Sequence, residues 1–183
     1  MPAPIVRIVG PPGSGKTMLI MSLQEALRSE GVRTASAVSR GPGLTAIATS
    51  AGARTTLERD IPLGYLATVV SWIDPAVDVI FAEGYEETGA PAVELRPAGG
   101  DALGVTEDEL LAVVDPAEIA AAFAERGPGY TAGVAERVMH SVLGREPSAG
   151  TLADASKGGP PEVPPSAARE VGRLGRLFRR RRG

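Results

Sequence analysis

The chain has no cysteine. Disulfides, thiolate metal sites and cysteine nucleophiles are therefore excluded. It has one histidine, His140, which argues against a histidine-built zinc centre. Aromatic residues make up only 4% of the 183 residues, so the core must be aliphatic. No run approaches the ~18 consecutive apolar residues of a membrane span. The first residues lack the basic and apolar regions of a secretion signal, and a cytoplasmic location is expected. Lysine is scarce as well: only Lys16 and Lys157 occur.

Charge is unevenly spread. Residues 1–150 carry 11 Lys+Arg against 19 Asp+Glu, a net of −8, whereas residues 151–183 carry 8 against 3, a net of +5. An acidic body does not suit nucleic acid, and none is expected as a partner. The chain is expected to form one α/β domain over 1–145. A Pro/Gly/Ser-rich linker follows over 146–165, then a basic tail over 166–183.

Within the body, Ile5–Val9 reads as a buried strand, Met18–Leu27 as a helix ending at Gly31, and Val32–Val38 as a second strand. That βαβ order implies parallel strands. The pattern further predicts a helix over Leu44–Ala51, a short strand over Thr55–Leu57 and a helix over Leu66–Ile73. Strands are expected over Val77–Ala82, Ala92–Leu95, Ala102–Val105 and Leu110–Val114. Helices are expected over Pro116–Arg126 and Thr131–Leu143. The fold class that results is a three-layer α/β fold of the P-loop NTPase type, with a mostly parallel central sheet and helices on both faces.

Between the first strand and helix stands Gly10-Pro11-Pro12-Gly13-Ser14-Gly15-Lys16-Thr17, a full match to G-x-x-x-x-G-K-[ST] in the position the motif requires. Its glycines let backbone N–H groups turn inward around phosphate oxygens, and the following helix adds its positive end up to Met18. Lys16 would meet the β- and γ-phosphates of a nucleoside triphosphate, and the Thr17 hydroxyl would ligate Mg²⁺. The apolar strand "DVIFAEG" offers a second acid. Ligands collect at the carboxyl ends of parallel strands, which selects Glu83 over Asp78 as the metal-side carboxylate. Glu86 and Glu87 are the alternatives, and Gly84 would let the backbone approach the ligand closely. No N-K-x-D guanine reader occurs. Thr106, Glu107 and Asp108, read as the end of a late strand, are the base-contact candidates; an acidic loop capping the next segment explains them equally well.

With these motifs in place, the chain resembles the molybdopterin-guanine dinucleotide biosynthesis adaptor proteins (MobB), a branch of P-loop GTPases. The resemblance lies in "IVGPPGSGKTMLIMSLQEALRSEGVRTASAV", "SAGARTTLERD" and "DVIFAEGYEETGAPAVELR", in order through about 1–145. Glu83-Gly84-Tyr85 with Pro91 and Arg96 is its most diagnostic part. Val38 to Gly43 departs from the family pattern: Arg40 is there and the usual histidines are not. The resemblance implies a homodimer that binds GTP with Mg²⁺, hydrolyses it slowly, and assists a molybdopterin guanylyltransferase-type enzyme. The residues alone leave ATP open. They also leave open a small-molecule kinase or a GTPase metallochaperone. In the tail, Val171, Leu174, Leu177 and Phe178 form one apolar stripe if helical, among arginines. That pattern fits a solubilising end, docking on a partner or on the acidic body, or contact with an anionic membrane surface.

Overall fold

A computed structural model describes residues 2–41, 43–85, 89–125 and 129–148. Glu86, Glu87, nearly all of the expected linker and the whole tail lie outside the described residues.

Seven strands form one sheet in the order β4-β3-β2-β5-β1-β6-β7. They are β1 (Ile5–Val9), β2 (Thr34–Ser39), β3 (Thr45–Thr49), β4 (Arg54–Leu57), β5 (Val79–Glu83), β6 (Ala92–Leu95) and β7 (Leu110–Val114). β1, β2, β5, β6 and β7 run parallel, and β3 and β4 add an antiparallel edge. Helices α1 (Lys16–Ser29), α3 (Pro116–Glu125) and α4 (Gly129–Arg137) cover one face; α2 (Leu63–Ile73) covers the other. The three-layer, mostly parallel α/β fold is therefore as expected.

Two aliphatic cores explain the layers. Leu19, Leu23 and Leu27 of α1 meet Val6, Ile8 and Phe81 on one side of the sheet, and Leu66 and Val70 of α2 meet Ala37, Ile47 and Ile80 on the other. β5 is buried on both faces, as its unbroken apolar run requires. Helix α1 stops where the sequence places a glycine. Gly31 has φ 73°, its N–H bonds the Arg28 carbonyl at 3.0 Å, and the Val32 N–H bonds the Leu27 carbonyl at 3.0 Å. This is the paired closure of a left-handed C-terminal cap. Helix α4 continues into a π-helical stretch, Val138–Val142, so the single helix expected over Thr131–Leu143 changes its hydrogen-bond step partway. The first residues assigned to the linker still touch the body: Glu146 meets His140, and the Ser148 N–H bonds Glu30.

Two expectations are corrected. Leu44–Ala51 is not helical; Thr45–Thr49 is β3, paired antiparallel to β2 and β4. Thr45, Ile47 and Thr49 point inward while Ala46 and Ala48 are half-buried, a period of two carried by β-branched residues. The short turn before β3 uses Gly41 and Gly43 at positive φ. The strand expected over Ala102–Val105 is part of an exposed loop. Gly104 turns it at φ 80°, and the Leu103 N–H bonds the Glu94 carboxylate at 2.9 Å instead of a neighbouring strand. β7 takes the place beside β6.

One feature of β1 is absent from the sequence reading. Arg7, in the middle of this buried strand, is 3% exposed and pairs with Glu109 at 2.6 Å, while its Nε donates to the Ala90 carbonyl at 3.1 Å. Glu109 also accepts from the Gly89 N–H at 2.6 Å. A buried charge is tolerated only with such partners.

Candidate functional site

Five parallel strands aim their carboxyl ends at one edge of the sheet, and the Gly10–Gly15 loop leaves β1 at that edge, between β5 and β6. The loop is tight by construction. A Cβ on Gly10 would lie 2.7 Å from Ser14 Oγ and 2.8 Å from Leu95 Cβ. Gly13 and Gly15 sit at φ 77° and 90°, which other L-residues rarely adopt. Gly15 is the N-cap of α1 with no side-chain cap, and the first turn of α1 holds no acid. The first intrahelical bond, Leu19 N–H to the Gly15 carbonyl at 2.9 Å, leaves the N–H groups of Lys16, Thr17 and Met18 for an anion. Pro11, Pro12 and Gly13 are exposed on the rim. The Met18 side chain instead packs on the core, so this residue offers the site its backbone only.

Three side chains carry charge or an unused polar atom here. The Lys16 ammonium folds back over the loop, donating to the carbonyls of Gly10 at 3.0 Å and Pro11 at 2.9 Å. Glu83 ends β5, in register with Ile8 of β1 and Val38 of β2. Its carboxylate accepts a 2.8 Å hydrogen bond from the Thr17 hydroxyl. Ser14 is buried, and its hydroxyl has no hydrogen-bond partner among the described residues. Thr17 and Glu83 thus converge from separate elements on one point, both as hard oxygen donors. Such a pair fits Mg²⁺, which commonly takes one or two protein carboxylates and completes its shell with water and phosphate oxygens. Among the described residues no group of three or more Asp, Glu, His or Cys forms an all-protein metal cage.

Asp78 lies at the other end of β5 and is spent on structure. It accepts from the Arg33 N–H at 2.8 Å and pairs with Arg145 at 2.9 Å. Thr106, Glu107 and Asp108 are likewise not brought to the loop. They form a turn leading into the amino end of β7, with Glu109 and Leu110 N–H groups both on the Thr106 carbonyl at 3.1 Å. The misplacement follows from the strand wrongly assigned to Ala102–Val105. A strand there would have ended at Thr106; in the fold a strand begins just after it.

Gly84 has a task within the sheet. At φ 82°, a Cβ would lie 2.8 Å from the Ser39 carbonyl oxygen, so the glycine lets the end of β5 pass against the end of β2. Gly84→Ala is expected to destabilise the fold by about 2 kcal/mol, combining left-handed strain with the clash. Gly89→Ala, at φ 96° with open space around it, should show the strain alone. Urea unfolding of the two variants measures the difference.

Two residues that the sequence reading passed over fix the other flank. Glu94, 1% exposed on β6, holds the loop after β6 through Leu103 and stands 3.8 Å from Arg96. Asp115 accepts from the Ala117 N–H at 2.9 Å at the start of α3 and from the Ala98 N–H at 3.2 Å. It thereby seats Ile119 against Gly15. The Asp-Pro pair at 115–116 is a helix-start signal that would have revealed Asp115.

No family model matches the chain, and no curated protein matches it. Among solved structures, a MobB protein homolog from Bacillus stearothermophilus aligns at 22% identity and a TM-score of 0.39, covering 66% of this chain and 96% of its own. Bacillus subtilis MobB aligns at 18% identity and a TM-score of 0.42, covering 67% and 97%. A bifunctional folylpolyglutamate synthase/dihydrofolate synthase aligns at 19% identity and a TM-score of 0.31, covering 68% of this chain and 42% of its own.

Proposed function

We propose that this protein binds a nucleoside triphosphate, GTP, with Mg²⁺ and hydrolyses it slowly. Its role would be that of a homodimeric adaptor to a molybdopterin guanylyltransferase-type enzyme. The observation that carries the nucleotide reading is the 2.8 Å contact between Thr17 and Glu83 at the mouth of a complete phosphate-binding loop. The choice of GTP, the homodimer and the adaptor role rest on the sequence resemblance given above.

The residues divide the work by chemistry. The N–H groups of the Gly10–Met18 turn donate to phosphate oxygens, with the positive end of α1 behind them. Lys16 exchanges its two carbonyl partners for phosphate oxygens and brings a full charge. Thr17 and Glu83 would hold Mg²⁺, which when bound supplies charge neutralisation across the phosphates. Glu83 also accepts a hydrogen bond and can orient water at that position.

Calorimetric titration with GTP and ATP, with Mg²⁺ and with a chelator, tests this reading. Wild-type protein should bind GTP more tightly than ATP and lose affinity without Mg²⁺. Glu83→Gln keeps the size of the side chain and removes its charge. It should retain nucleotide, lose most of the Mg²⁺ dependence, and release phosphate at least about tenfold more slowly. Equal affinity for GTP and ATP would count against the guanine assignment. An unchanged Mg²⁺ dependence in Glu83→Gln would remove Glu83 from the metal site.

A further inference from the structure

Arg40 follows β2 at the carboxyl edge of the sheet. Its side chain is exposed and has no hydrogen-bond or ion-pair partner among the described residues. Its backbone, by contrast, is fixed. The Arg40 N–H bonds the Leu44 carbonyl at 2.9 Å, one step beyond the Ser39–Thr45 pair that ends the β2–β3 ladder. Ser39 in turn lies close against β5, where a Cβ on Gly84 would be 2.8 Å from the Ser39 carbonyl oxygen. The face is fixed as well. Val79 and Phe81 of β5 belong to the core beneath α1, and Glu83 continues that side to Thr17. Val38 of β2 is the register partner of Glu83, and register partners share a face. The ladder still holds at Arg40, so the period of two returns Arg40 to that face. Its side chain thus starts one strand spacing, about 4.8 Å, to the side of the β5 end that carries Glu83.

We infer that Arg40 reads the terminal phosphate of the bound nucleotide and makes the site prefer a triphosphate to a diphosphate. The inference rests on the nucleotide reading above. Charge is the argument. Lys16 and Glu83 bring opposite signs to the loop, whereas a terminal phosphate adds about −1.5 to −2 at neutral pH. Mg²⁺ offsets part of it, and a cation beyond Glu83, on the side away from the loop, meets the rest. In the strand order that side is β2, which delivers Arg40. A guanidinium also matches two phosphate oxygens at once. The other arginines near this edge are worse placed. Arg96 follows β6, on the opposite side of the loop, and stands 3.8 Å from the buried Glu94. Arg59 follows β4, two strands beyond β2. The inner phosphates cradled by the loop are common to GDP and GTP, so a contact from Arg40 separates the two nucleotides.

Calorimetry on the full chain with Mg²⁺ tests this, comparing GDP with a GTP analogue whose β–γ bridge is an imido group. Wild-type protein should bind the analogue at least about tenfold more tightly than GDP. Arg40→Ala should weaken the analogue by about tenfold and leave GDP unchanged, so that the preference disappears. Arg40→Lys keeps the charge without the fork and should give an intermediate ratio. The Tm of both variants should match wild type, because the fold uses only the Arg40 backbone N–H, which either substitution retains. A preference that survives in Arg40→Ala would overturn the role of Arg40 while leaving the nucleotide site in place. An equal loss for both ligands would overturn it too, since Arg40 would then serve the phosphates or base that GDP and GTP share. Wild-type protein that binds neither ligand would instead remove the nucleotide reading, and this inference with it.

Discussion

Lys16→Ala should weaken triphosphate binding by between about tenfold and a hundredfold, the loss expected of a charge-assisted contact of about 1.5–3 kcal/mol. The folded protein should survive the change. Among the described residues Lys16 bonds only the carbonyls of Gly10 and Pro11, and it is not part of either core. Calorimetry and thermal unfolding on the same sample therefore separate the two effects: a large fall in affinity with a nearly unchanged Tm. Lys16→Arg should not restore binding. The guanidinium is larger and planar, and the loop is closed at Gly10 by Ser14 and Leu95 with no room to widen. Unchanged affinity in Lys16→Ala would refute the phosphate-loop assignment.

Glu109→Ala should cost about 3 kcal/mol of folding stability, a large effect for a residue outside the site. The substitution leaves the Arg7 guanidinium, 3% exposed, with only the Ala90 carbonyl among its described partners. It also frees the Gly89 N–H, which donates to the other Glu109 oxygen. Replacing both charges with apolar residues of similar volume, Arg7→Met with Glu109→Leu, should recover much of the loss, because no buried charge then remains unpaired. Urea unfolding of the single and double variants reads both. If the single variant unfolds at the wild-type midpoint, the pair does not anchor β1.

The part of the fold set by local chemistry was legible in the sequence. The β-branched run Ile5–Val9, the glycines of the loop, the apolar spacing Leu19–Leu23–Leu27 and the left-handed Gly31 all specify their structure within a few residues. Glu83 could be chosen over Asp78 because parallel strands have only one end where loops converge. Elsewhere the decisive contacts come from distant residues. Thr45–Thr49 contains two alanines, which suit a helix, and becomes a strand because β2 and β4 offer it a ladder. Arg7 interrupts an apolar strand, and its partner lies 102 positions away. Glu107 and Asp108 were placed at the wrong edge of the sheet because the segment before them, Ala102–Val105, has strand-like composition but spends its Leu103 N–H on Glu94.

The order of the strands has a consequence for how the protein is made. Of the seven strands of the sheet β1 is made before the others, yet its two neighbours are β5 and β6, with Ile5 beside Ile80 and Arg7 beside Ala92. Until those segments emerge, its N–H and C=O groups have no sheet to join, and the loop after it has no wall. The antiparallel β2, β3 and β4 can form early because each pairs with the next along the chain. Assembly of the central strand then waits for a long-range closure that inserts it between two strands made much later. A nascent chain arrested before β6 emerges should therefore hold its edge hairpins and lack an ordered phosphate-binding loop, while release of a few dozen more residues should order it.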